Sequence, residues 1–148
     1  MSCATGYAMA LAPWALLQGL TQARVTSSTL PSLRESLDEL APGECVACAI
    51  PLTGAPVARL LSFALLPLRR WTAERTFATA GAEILGCWGV HPDVESPSCI
   101  FDLQSSAATY AGQHLRPRGS KVLLRRVLAA VFGCDPALGA IVIIGRKR

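Results

Sequence analysis

"LDELAPGECVACAIP", residues 37–51, decides how the rest of the chain is read. Leu33, Leu37 and Leu40 recur at i, i+4 and i+7, so residues 33–40 read as a helix with one apolar face. Arg34, Glu35, Asp38 and Glu39 fall mostly outside that face. Ser32 stands where a cap belongs, with Glu35 three residues on in capping-box position. Pro42 and Gly43 stop the helix. "ECVACAI" follows without polar alternation. That is the pattern of a parallel strand covered by helices on both faces.

Working outward, "TSSTLP" before the helix reads as a loop, and "PLTGAPV" after the strand reads as another. "ARLLSFALLPLRR" is an apolar stretch bracketed by Arg59 and by Arg69 and Arg70, with Pro67 near its end. A helix is expected from Thr72, closed by Gly81. "AEILGCWGVHP" reads as a strand ended by Pro92, and "SCIFDL" as a short strand or extended segment. Two helices are expected within a helical insert at about residues 104–133, separated by Arg116, Pro117, Arg118 and Gly119. "AIVIIGRKR" closes the chain as a strand with a basic tail. The alternation of helices and strands indicates an α/β layered fold. Residues 1–31 form an apolar N-terminal segment without a clear pattern, and 32–148 form the α/β region.

The 148 residues fit one domain. At 51% hydrophobic and 16% charged, the chain is not a disordered one, and it is greasier than an ordinary monomer. Some apolar surface is therefore expected to meet a partner chain, a lipid or a missing part of a larger fold, with a homo-oligomer as a further option. The net charge of +4 comes from small basic groups with few aromatics among them, so no nucleic-acid partner is expected. Residues 1–23 have no charged side chain, yet no positive n-region marks a signal peptide, and Pro13, Gly19 and Gln22 interrupt a spanning run. A buried or partner-covered helix suits this segment better. Six cysteines, four in or beside apolar runs, suit reduced thiols in a cytoplasmic compartment, with a peripheral place at a membrane surface as the alternative.

Cys45 and Cys48 form a C-x-x-C, and with Cys87 and His91 they could compose a four-ligand set. In a strand, however, positions i and i+3 point to opposite faces, so core packing is expected and no metal. His91 ends a strand before a turn and is a general-base candidate. Tyr110 and His114 form an i, i+4 pair on one expected helix face and are further catalytic candidates, with plain packing as the alternative. Arg59, Phe63, Arg69, Arg70 and Trp71 are the substrate-side candidates. An apolar segment flanked by arginines suits a lipid-like or aromatic substrate or a membrane interface, and the ordinary reading is a helix packed on the sheet.

"SLRESLDELAPGECVACAIP" resembles a segment of class I S-adenosylmethionine-dependent methyltransferases, in which a helix leads through a Pro-Gly-Gly turn into the fifth strand. This chain has Pro42, Gly43 and Glu44, so the second glycine is absent. "TFATAGAEILGCWGVHP" looks like the family's next helix, its turn and the sixth strand. "AIVIIGRKR" is similar to the seventh strand, which runs antiparallel to the others. The resemblance covers about residues 32–92 and 140–148, the C-terminal half of that fold. It implies a Rossmann-like partial sheet with helices and a C-terminal antiparallel strand. It also implies methyl transfer from S-adenosylmethionine to a small apolar acceptor, if a cofactor-binding half completes the site. No G-x-G-x-x-G occurs in the first thirty residues. The rival expectation is a non-catalytic interaction or regulatory module.

Overall fold

The structure, a computed structural model, describes residues 25–52, 54–91, 99–103 and 138–148, with the backbone alone for 99–102. It is an α/β fold. Five strands form one sheet in the order β1-β2-β5-β3-β4. They are β1 (Val25–Thr29), β2 (Cys45–Pro51), β3 (Ala82–His91), β4 (Cys99–Asp102) and β5 (Ala140–Lys147). Three described helices are α1 (Leu33–Glu39), α2 (Pro56–Ala64) and α3 (Leu66–Thr79).

β1 and β2 are parallel. β5 lies between β2 and β3 and is antiparallel to both. β2 and β3 therefore run the same way. The expected three strands share one sheet, and the last is the reversed one. β1 corrects the sequence reading of "TSSTLP" as a loop. Four of its five residues are Ser or Thr, and an outer strand of the described sheet need bury only part of its surface. Pairing with β2, which is remote in sequence, holds it extended.

The sheet separates two apolar clusters. One combines Val46, Cys48 and Ile50 of β2, Cys87 of β3, and Ile141 and Ile143 of β5 with helical Leu33, Leu37, Phe63, Leu66, Ala73 and Phe77. The other combines Cys45, Ala47, Ala49, Trp88, Val90, Ala140, Val142 and Ile144. Every described residue of this second cluster lies on a strand. Both faces of β2 are thus buried, which accounts for its lack of alternation.

Helix ends depart from the expected chemistry. Ser32 makes no side-chain cap to α1, so the capping box does not form. Its hydroxyl turns back to β1, where Thr29 N–H donates to it at 3.3 Å. The other end of α1 is closed by Lys147, whose Nζ donates to the carbonyls of Leu37 at 2.9 Å and Asp38 at 3.3 Å. Gly43 takes φ +89°, where a side chain would be strained. α3 begins at Leu66, well before the expected Thr72. Pro67 sits in its first turn, where a missing N–H costs little. Leu65 keeps right-handed helical angles, so α2 passes into α3 through a single turn residue.

Two glycines mark close approaches. A Cβ on Gly145 would stand 2.5 Å from the Phe77 ring, so α3 packs directly on the backbone of β5. β3 carries a bulge between Ile84 and Gly86, and the Trp88 ring covers Gly86.

Candidate functional site at the carboxyl edge of the sheet

Because β1, β2 and β3 run the same way, their carboxyl ends, Thr29, Pro51 and His91, meet one edge of the sheet. Open α/β sheets bind ligands outside such an edge. Residues 138–140, entering β5, tie the edge together. Leu52 N–H donates to Gly139 O and Gly139 N–H to Val90 O, both at 2.8 Å. From α2, Arg59 Nη2 donates to Leu138 O at 3.2 Å. One short segment thus fixes the ends of β2 and β3 and the start of α2 relative to one another.

At β1 this edge carries four hydroxyls. Ser28 Oγ lies 3.2 Å from Ser32 Oγ and accepts from Ser36 Oγ at 3.0 Å. Thr29 Oγ1 lies 2.9 Å from Ser32 Oγ. Ser28 also donates to Thr29 O at 3.1 Å, so its buried hydroxyl is satisfied. The cluster can position a polar group by hydrogen bonds. No described carboxylate or imidazole is bonded to any of the four, so the activation that makes a serine nucleophilic is not built among the described residues. Reading residues 26–31 as a loop hid this cluster. The spacing of Ser28, Ser32 and Ser36 by fours was its only signal.

The expected site residues divide. His91 is half-buried at the end of β3, in register with Cys99. Arg59 and Phe63 come together, the guanidinium 5.9 Å from the ring centroid, and Phe63 is part of the core. Arg70 donates from Nε to Glu74 Oε1 at 2.8 Å, an ordinary i, i+4 pair on α3. Trp71 is exposed, and Arg75 stacks over it at 5.1 Å. Arg69, beside them, makes no ion pair among the described residues. Tyr110, His114, residues 1–24 and the insert at 104–133 lie outside the described residues.

Cys45, Cys48 and Cys87 are buried in the core. Cys45 belongs to one apolar cluster and Cys48 to the other, on opposite faces of β2. Burial pushes the Cys48 thiol up to about 12. Burial also raises Cys45, offset in part by Arg146. Such neutral thiols are poor ligands and poor nucleophiles. Among the described residues no three His, Cys, Asp or Glu side chains group as a metal site.

Nor do the described residues by themselves fit S-adenosylmethionine. Its ribose calls for an acidic residue at a strand's carboxyl end on that edge, where β1, β2 and β3 end in Thr29, Pro51 and His91; β4 ends in Asp102 but runs the opposite way. Glu44 and Glu83 stand at the opposite edge, where β2 and β3 begin. The chain matches no protein-family model, no curated protein and no solved structure.

Proposed function

We propose that this chain is a methyltransferase-like α/β module corresponding to the C-terminal half of a class I fold, with its acceptor side at the carboxyl edge. One observation carries the reading: the reversed strand β5 seated between two strands, β2 and β3, of common direction. The resemblance in residues 32–92 and 140–148 anticipates the reversed last strand in one sheet with the other two. In this reading methyl transfer from S-adenosylmethionine to a small apolar acceptor needs cofactor contacts beyond the described residues. The module's own part is to position the acceptor, with the Ser28, Thr29, Ser32 and Ser36 hydroxyls and the Arg59 guanidinium as fixed polar points beside apolar surface.

Calorimetric titration with S-adenosylmethionine and S-adenosylhomocysteine tests the division of labour. At micromolar protein the chain alone should give no saturable heat. A dissociation constant of tens of micromolar or tighter would place a complete cofactor site within this chain and overturn the half-module reading.

A second reading, a non-catalytic interaction module, is favoured by a different observation. The outward face of α2 and α3 is apolar, with Val57, Leu60, Leu61, Leu65, Leu68 and Trp71 exposed.

A further inference from the structure

α2 and the first turns of α3, as far as Trp71, are apolar on both sides. Phe63, Leu66, Ala73 and Phe77 face the sheet and are buried. Val57, Leu61, Leu65, Leu68 and Trp71 recur every three or four residues on the opposite side. Val57 is 71% exposed, Leu61 and Leu68 58% each, and Trp71 53%. An isolated exposed leucine is unremarkable, but a continuous stripe marks a surface that meets something.

The charges around the stripe say what that is. α2 and α3 carry Arg59, Arg69, Arg70 and Arg75 against Glu74 alone, and Glu74 is taken by Arg70. Arg69 flanks the stripe. Arg75 lies on it, one turn beyond Trp71 and stacked on the ring. Neither makes an ion pair among the described residues. A helix with leucines and a tryptophan outward and cations at its margin is built to lie in the plane of an anionic bilayer, indole and guanidinium at headgroup level. The stripe spans residues 57–71 over two helices joined at Leu65, at most about 22 Å at ~1.5 Å per residue. That is short of the roughly 30 Å of a hydrocarbon core. No described helix is long and apolar enough to cross a membrane.

We propose that the outward face of α2 and α3 binds the surface of membranes rich in anionic phospholipid, with Leu61, Leu65, Leu68 and Trp71 entering the acyl boundary and Arg69 and Arg75 meeting phosphate or carboxylate headgroups. The inference does not depend on the methyltransferase reading, and its test involves no cofactor.

The test is flotation of the full chain with vesicles of phosphatidylcholine alone and of phosphatidylcholine mixed with phosphatidylserine, at low and high salt. Binding to the mixed vesicles, weakened by salt, is the expected result. The double variant Arg69→Gln/Arg75→Gln should lower the partition coefficient roughly thirtyfold, at ~1 kcal/mol per cation. Leu61→Ser and Leu68→Ser should each lower it by about tenfold or more. All these side chains are exposed or half-buried, so cooperative unfolding should persist, and the arginine variant decides should a serine variant fail to fold. The blue shift of tryptophan emission on binding should shrink in Trp71→Phe. Three results would overturn the proposal: no binding to mixed vesicles, equal binding to both vesicle types that ignores the arginine substitutions, or a vesicle-independent dimer dissolved by Leu61→Ser, which would assign the stripe to a second copy.

Discussion

β2 and the α2–α3 pair are both apolar stretches in sequence, and they come to opposite environments. β2 is buried from Cys45 through Ile50, with one apolar cluster on each face. α2 and α3 bury one face and hold leucines, a valine and a tryptophan in water on the other. Hydrophobicity tells that a residue gains by leaving water, and not which surface will cover it. For β2 the described chain supplies much of the cover through β5 and the helices. For the outward stripe it supplies none. A surplus of apolar residues over what the chain's own sheet uses is thus where an external surface is to be sought.

The contrast predicts a wide gap in stability effects. Phe77→Ala removes a fully buried ring seated on the backbone of β5 and should lower the unfolding free energy by ~3–5 kcal/mol. Leu61→Ala, on the exposed stripe, should stay within ~0.5 kcal/mol in the same denaturant titration. Comparable losses at the two sites would erase the distinction between the regions.

Sharper is Gly145→Ala. The new methyl would enter the Phe77 ring, and overpacking of this kind costs ~1–3 kcal/mol. Combining it with Phe77→Leu should cost clearly less than the sum of the two single changes, since each relieves the other. Strict additivity would mean that α3 does not rest on β5 there.

Alkaline pH probes the buried side through Cys48. The folded Cys48 thiol titrates at about 12, well above an unfolded thiol near 9. Its contribution is fully present below pH 9 and is lost as pH rises toward 12. Within that window it should decline by up to ~1.4 kcal/mol per pH unit. Cys48→Ala should flatten this part of the pH profile of stability. A profile unchanged by the substitution would show the thiol to be more exposed than the structure has it. Native labelling should agree, slow at Cys45 and Cys48 and fast in denaturant.

A modest loss is expected at the turn before β2. Gly43 has φ +89° with open space around the position, so Gly43→Ala meets backbone strain without a clash. It should cost about 1 kcal/mol by thermal unfolding.

Much of the sheet was legible because burial leaves a local signature. The unalternated run in β2, the Pro42 and Gly43 stop and the terminal position of β5 each point to their place without knowledge of the partner strand. The opposite faces of Cys45 and Cys48 followed from strand geometry alone. β1 was illegible for the converse reason. "VTSST" has the polarity of a loop, and what makes it a strand is its register with Cys45 through Ala49, contacts remote in sequence. The early start of α3 was hidden by Pro67, which reads as a breaker unless it is known to sit in a first turn. The hydroxyl cluster at the carboxyl edge depends on both elements, since Ser28 belongs to β1 and Ser32 and Ser36 to the turn and helix after it. The shared edge of Thr29, Pro51 and His91 required the direction of β5, which fixes that of β3.

That direction is also the central claim, and Ile143 reports on it. In the sheet Ile143 lies in register with Cys48 of β2 on one side and with Cys87 of β3 on the other. Cross-strand nuclear Overhauser contacts in an isotope-labelled sample should link Ile143 to both residues. Successive residues of β5 should then pair with decreasing numbers on each neighbour. Contacts from Ile143 to only one of the two, or a direct pairing of β2 with β3, would contradict the arrangement on which the fold, the shared edge and the methyltransferase-like reading rest.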